Sequence, residues 1–196
     1  MGWFLLVVFA YLLGSIPVGL VVARAMGRED PRKSGSGNIG ATNVGRTLGK
    51  TAGIVTLAGD ALKGLIPVAW AHSAFGSPWA WTAVAFAAFL GHLFPIYIGF
   101  KGGKGVATGL GVFLPLAPGA VLCAAAVFVL VVWKWRMVSL GSLAAAAALP
   151  LFVAFLSKPV AVLALAVTVA AFTTWKHRDN IDRILAGTEN RLGRTG

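Results

Sequence analysis

The chain has 196 residues, 58% of them hydrophobic and 12% charged, with a formal net charge of +11. A soluble domain carries about a quarter charged residues, so this composition excludes an ordinary soluble enzyme and leaves room for several membrane spans but no separate soluble domain. The basic balance fits phosphate-bearing ligands or anionic lipid; nucleic acid is the poorer fit because the charges sit in short loops between apolar runs, and the single cysteine, Cys123, reads as a small buried hydrophobe.

A spanning helix needs about 20 apolar residues. Residues 3–23 meet that length, and Arg24 and Arg28 follow the run. A signal peptide has the opposite charge order, so the run is read as a true span with its N-terminus outside. Polar residues 24–50 follow. A second span is predicted at 51–71, a turn without Lys or Arg at 72–78, a third span at 79–99 and a basic glycine knot at 101–105. Pro95 is expected to kink the third span. Residues 106–132 are apolar for 27 positions but contain Pro115 and Pro118. Two more runs, 137–156 and 159–175, precede a basic tail at 176–196.

Residues 106–132 are either one span or two. Two spans put 15 Lys and Arg inside and Lys158 alone outside; one span puts 9 inside and 7 outside. The excess of cations in cytoplasmic loops decides for two. The expectation is an all-α polytopic membrane protein, a single transmembrane domain over residues 1–196. It has seven transmembrane helices, its N-terminus outside and its C-terminus cytoplasmic. The cytoplasmic segments are 24–50, 100–105, 134–136 and 176–196. Residues 106–116 cover about half the hydrocarbon and are expected to pack against other helices.

Three polar segments on that face carry the chemistry. Residues 34–50 hold five glycines, four hydroxyls, Asn38, Asn43, Arg46 and Lys50. Glycines let backbone N–H groups turn toward an anion, and hydroxyls and amides add donors. Arg46 is suited to clamp a phosphate through two N–H groups. Arg46-Thr47 after Gly40 and Gly45 is a near-miss to a P-loop, excluded because no strand precedes it. The knot at 101–105 places Lys101 and Lys104 among glycines at the start of the next helix, where free N–H groups favour phosphate. In the tail, Ile181, Ile184 and Leu185 have helical spacing, predicting an amphipathic interfacial helix ending near Gly187. His177 and Asn180 share a face of it. His177 and Asp182 match a His-x4-Asp acyltransferase pattern, but positions five apart on a helix diverge by about 140°, so that match is set aside. Asp60 and Lys63, deep in the second span, and His92, in the third, are costly in lipid. Asp60 and Lys63, three apart, are read either as a structural ion pair or as ligands, and His92 either as a structural residue bonded to a backbone carbonyl or as functional.

These segments, in this order between these spans, resemble the bacterial acyl-phosphate-dependent glycerol-3-phosphate acyltransferase family of the PlsY type. The matching residues are Ser36-Gly-Asn-Ile-Gly-Ala-Thr-Asn43 with Arg46 and Gly49-Lys50, then Gly91-His92 with Pro95 and residues 99–108. His177-Arg178 with Asn180-Ile181, Arg183 and Gly187 complete the set, and Asp60-x-x-Lys63-Gly64 also matches. The resemblance implies a seven-helix inner-membrane enzyme with its site at the cytoplasmic surface. It implies acyl transfer from acyl-phosphate to the 1-hydroxyl of glycerol 3-phosphate, giving lysophosphatidic acid and phosphate. No metal, cofactor, acyl-CoA or acyl-carrier protein is implied, and neither is nucleic acid or an obligate protein partner; membrane lipid is the surroundings.

On this reading Ser36, Arg46, Lys104, His177 and Asn180 are the candidate catalytic residues. Gly37, Asn38, Thr42, Asn43, Gly102, Gly103, Thr108, Arg178 and Glu189 are candidate substrate contacts. Ser36, Asn38, Thr42, Asn43 and Arg46, with Lys104, would cradle phosphate groups, and Lys104 and Arg46 would stabilise developing charge. The proton acceptor is either His177 or the phosphate of glycerol 3-phosphate. The rival reading is an anion transporter for phosphate or glycerol 3-phosphate, with Asp60, Lys63 and His92 near midplane. A third is a phosphate-lipid scaffold without turnover.

Overall fold

A computed structural model describes residues 2–193, and their regular structure is helical throughout, ten α-helices and two short 3-10 turns. The chain divides into two compact units, Met1–Leu116 and Ala117–Gly196. The boundary falls inside the proline-marked stretch at 115–118.

The first unit contains α1 (Gly2–Gly14), α2 (Val18–Ala25), α3 (Ala41–Leu48), α4 (Lys50–Ala74), α5 (Pro78–Leu93) and α6 (Val106–Phe113). The first expected span is therefore not one straight helix: α1 and α2 meet at 46°. The cause is Pro17, which lacks an N–H and drives the preceding Ile16 out of the helical region. Ile16 N–H turns back to the Leu13 carbonyl at 3.1 Å, and Pro17 caps α2. Pro95 likewise ends α5 rather than kinking it. The helix stops at Leu93 and a 3-10 turn, Ile96–Ile98, follows the proline.

Small residues let the helices of this unit touch backbone to backbone, as packing in lipid requires. A Cβ on Gly14 would lie 2.2 Å from the Ala88 carbonyl oxygen, and one on Gly91 would lie 2.3 Å from that of Tyr11. These contacts seat α1 on α5. A Cβ on Gly111 would lie 2.0 Å from the Ala61 carbonyl oxygen, which seats α6 on α4. Nearer the polar segments, Val22, Val44 and Ala52 form a small core with Val18 and Leu48, joining α2, α3 and α4.

The second unit contains α7 (Pro118–Trp135), α8 (Val138–Phe155), α9 (Val160–Lys176) and α10 (Arg178–Leu185). Arg136, in the left-handed region at φ 60°, turns α7 into α8. At the other end α9 bends by 61° into α10, and Gly187 at φ 71° follows that helix. Lys134 lies over the Trp135 ring, and Lys176 and Arg178 lie over Trp175. Amphipathic rings with cations beside them are the usual furniture of a membrane–water boundary.

Among the described residues, four helices are long and apolar enough to cross a membrane singly, and the bent pairs α1–α2 and α9–α10 raise the number to six. At eight residues, α6 reaches only ~12 Å and is too short to cross as a regular helix. Phe155, Trp133, Val160 and Leu5 are all more than 70% exposed, an outward apolar display suited to lipid rather than water. Cys123 is part of it: it is exposed on α7, not buried as expected, because lipid rewards apolar side chains on the outer face as well as inside.

Candidate active site

In the first unit, the loop from Asp30 to Gly40 is organised by one side chain. Asn43, near the start of α3 and only 2% exposed, donates from Nδ2 to the carbonyls of Pro31 at 2.8 Å, Asn38 at 2.8 Å and Ser34 at 3.3 Å. Its Oδ1 accepts the Ser36 N–H at 2.8 Å. Asn38 Oδ1 accepts the Gly40 N–H at 2.8 Å, closing an Asx turn. Gly35 and Gly37 take positive φ, and a Cβ on Gly35 would lie 2.3 Å from Asn43 Oδ1. The loop is thereby held with Ser36, Gly37, Thr42 and Arg46 exposed and Asn38 half-buried.

The glycine knot folds back on the end of α5. Gly102 N–H donates to the Leu93 carbonyl at 3.3 Å and Gly103 N–H to that of His92 at 3.1 Å. A Cβ on Gly102 would lie 2.1 Å from the His92 carbonyl oxygen, so the second position of the knot has no space for any other residue. Gly105, at φ 84°, starts α6. Lys104 is half-buried between them.

Beneath the knot, Lys63 Nζ lies 2.8 Å from Asp60 Oδ1 and donates to the Ile16 carbonyl at 2.7 Å. His92 Nδ1 stands 3.5 Å from the same carboxylate oxygen. All three side chains are buried. Thr108 is fully buried, and its hydroxyl donates to the Asp60 backbone carbonyl at 2.9 Å.

In the second unit, Glu189 is the hub. Its Oε1 accepts from Ser139 Oγ at 2.9 Å and Asn180 Nδ2 at 2.7 Å, and its Oε2 accepts from Arg183 Nε at 2.8 Å. Burial pushes the Glu189 carboxyl up, but the hydrogen bonds from Asn180, Ser139 and Arg183, with the Arg183 charge, outweigh it and hold the group below its ordinary value. His177 Nδ1 is 2.7 Å from the Thr173 carbonyl. A carbonyl only accepts, so Nδ1 carries the hydrogen and the neutral ring has its lone pair on Nε2. Leu192 N–H donates to the Arg136 carbonyl at 2.7 Å, tying the tail to the α7–α8 turn.

The family model for glycerol-3-phosphate acyltransferase matches residues 4–187. A glycerol-3-phosphate acyltransferase of Geobacter metallireducens is 59% identical over 189 residues, 96% of this chain and 96% of that one. The chain belongs to the glycerol-3-phosphate acyltransferase family. Among solved structures it is similar to PlsY (YgiH), an integral membrane glycerol 3-phosphate acyltransferase, in its glycerol 3-phosphate form, with a TM-score of 0.95 at 45% identity over 98% of this chain and 96% of that one. The lysophosphatidic acid form of PlsY gives a TM-score of 0.93 at 44% identity, with the same coverage. The chain is therefore an acyltransferase of the PlsY family and a multi-pass membrane protein. The transporter and scaffold readings fall away.

Within this acyltransferase the structure sorts the sequence candidates. Ser36, Gly37, Thr42 and Arg46 are exposed on one loop and helix, with Asn38 half-buried among them, and Lys104 lies in the knot. Arg178 is exposed at the start of α10, while His177 and Asn180 are buried beside it. Four expected substrate contacts also hold the scaffold: Asn43 builds the loop, Thr108 joins α6 to α4, and the Gly102 and Gly103 amides donate to α5 carbonyls. Glu189 is likewise committed to protein donors. Sequence reasoning missed Ser139, which holds Glu189; a hydroxyl three residues after Arg136, in the first turn of an otherwise apolar run, was the available signal.

Proposed function

We propose that the chain transfers a fatty acyl group from acyl-phosphate to the 1-hydroxyl of sn-glycerol 3-phosphate, giving lysophosphatidic acid and inorganic phosphate. The observation that carries this reading is the near-complete likeness to PlsY in its glycerol 3-phosphate form. Exposed Ser36, Thr42 and Arg46 on a rigid glycine loop, with Lys104 in the knot, support it. In the first unit these residues, with Asn38, are assigned to phosphate groups. In the second, His177, Asn180 and Arg178 are assigned to glycerol 3-phosphate.

The glycerol oxygen attacks the acyl carbonyl carbon, the bond from that carbon to the phosphate oxygen breaks, and phosphate leaves with the electron pair. Lys104 and Arg46 stabilise the negative charge that grows on the leaving phosphate and the carbonyl oxygen. An acyl-phosphate is already an activated anhydride, so positioning matters more than a strong base. The proton passes to the phosphate of glycerol 3-phosphate. His177 Nδ1 is held by the Thr173 carbonyl at 2.7 Å, which orients the ring to bind glycerol 3-phosphate. The enzyme sits in the inner membrane with seven crossings, α6 being a short one, its N-terminus outside and its polar segments cytoplasmic.

Purified protein in detergent or lipid, given palmitoyl-phosphate and glycerol 3-phosphate, is expected to release phosphate only with both substrates present. Lys104→Ala is expected to lower that rate about a hundredfold or more. Equal release from a folded Lys104→Ala sample would remove Lys104 from the site.

A further inference from the structure

Three buried polar side chains lie beneath the glycine knot and none is assigned to substrate. They form one connected path. Lys63 Nζ holds the Ile16 carbonyl, at the break between α1 and α2, at 2.7 Å and Asp60 Oδ1 at 2.8 Å. His92 Nδ1 is 3.5 Å from that same oxygen. The opposite edge of the His92 ring faces the knot: a Cβ on Gly103 would lie 2.2 Å from His92 Nε2 and 2.8 Å from Cε1. Gly103 also donates its N–H to the His92 carbonyl at 3.1 Å. The residue directly after Gly103 is Lys104.

We propose that Asp60, Lys63 and His92 are positioning residues for Lys104: the ion pair fixes the His92 ring, and the ring is the floor that sets the height of the knot. Charges at this depth are costly unless they have a task, and apolar residues of similar volume would pack as well or better. What an apolar pair lacks is direction. The carboxylate pairs with Lys63 at 2.8 Å and faces the His92 Nδ1 at 3.5 Å, an electrostatic approach that favours one orientation of the ring edge presented to Gly103. Asp60 does a second service through its backbone, whose carbonyl accepts the Thr108 hydroxyl at 2.9 Å. The segment bearing Lys104 is thus gripped at Gly102–Gly103 before it and at Thr108 after it. Both grips lead back to α4 around Asp60, one through His92 and one through Thr108.

This inference rests on the role given to Lys104 above, and its test separates the two. His92→Gln keeps the side chain's length and a hydrogen-bonding end; Asp60→Asn/Lys63→Met removes both charges together, so that no buried charge is stranded. Lys104 is assigned both to a phosphate group and to charge that grows in the transition state, while glycerol 3-phosphate is held by His177, Asn180 and Arg178, so misplacing Lys104 acts chiefly on kcat. Both variants are expected to lower kcat about tenfold or more, as small displacements of a catalytic group do. The KM for glycerol 3-phosphate and the thermal unfolding midpoint of the His92→Gln protein stay near those of the wild type.

The second readout does not need turnover. Full-length protein in detergent is treated briefly with acetic anhydride, and the acetylation rates of Lys104 and Lys50 are read by mass spectrometry. Lys104 is expected to change severalfold in both variants while Lys50 does not. An unchanged Lys104 rate in folded samples of both variants overturns the positioning role, whatever the kinetics. If the wild-type chain releases no phosphate from acyl-phosphate, the proposed reaction is lost, and the acetylation rates still decide the inference.

Discussion

Asn43 and Glu189 are expected substrate contacts whose polar atoms hydrogen-bond to the protein. Residue type and position in the chain are the same for a ligand and for the residue that holds a ligand's loop in place. The difference lies in which neighbours the fold supplies, such as the carbonyls of Pro31, Ser34 and Asn38 around Asn43, and local sequence does not carry that. Ser36, Arg46 and Lys104 are proposed for the site because hydroxyls and cations among glycines have few other uses at a membrane surface. Glu189 also makes the stability of the protein pH-dependent. Its folded value lies below the ordinary 4.5, so its contribution is fully present above about pH 4.5 and is lost as pH falls through the folded value. Glu189→Gln should unfold more readily at neutral pH by about 1–3 kcal/mol, since it leaves Ser139, Asn180 and Arg183 competing for a single carbonyl oxygen. In thermal unfolding from pH 7 down to pH 3, the gap between variant and wild type should close at the acid end. A gap that stays constant would mean that Glu189 packs rather than pairs.

At the scale of the element, hydrophobic runs gave the helices well and their interruptions poorly. The run at 3–23 is unbroken in hydropathy, so the bend between α1 and α2 depended on Pro17 alone, and a proline inside an apolar run is ambiguous. Pro67 sits within α4 without breaking it. The short α6 was legible as an element that must lie against others, and its glycines are the means. Gly111 meets the Ala61 carbonyl oxygen closely enough that even one methyl group displaces backbone. Gly111→Ala is expected to cost about 1–3 kcal/mol in thermal unfolding, the usual penalty of overpacking. Gly76→Ala, where a Cβ meets nothing within 4 Å, should be neutral or slightly stabilising. Equal midpoints for the two variants would show that α6 is free to move off α4.

For the whole molecule the open question is parity, and α6 decides it. Within the second unit the tail and the α7–α8 turn share a face, since Leu192 bonds to Arg136 and Glu189 to Ser139. Lys134 and Arg136 therefore argue for the tail's side together with the tail's own cations. If α6 completes a crossing, that face is cytoplasmic; if it does not, the tail is outside. In a Cys123→Ser background, Gly76→Cys is expected to react with a membrane-impermeant maleimide in intact cells, and Asn190→Cys only after permeabilisation. Labelling of both from outside would reduce the crossings to six. The arginine and lysine distribution supplies the expectation this labelling tests, while the division at Leu116 was marked only by two prolines.

The Lys63 ammonium on the Ile16 carbonyl also bears on biogenesis. A proline-broken helix in lipid needs donors for its carbonyls; that of Ile16 accepts the Val18 N–H at 3.0 Å within the first span, and the Lys63 ammonium, carried by a helix synthesised later, is a second donor at 2.7 Å. Pro17 therefore gives the first span its bend before α4 is made, and the charged donor at the bend joins only when α4 packs beside it.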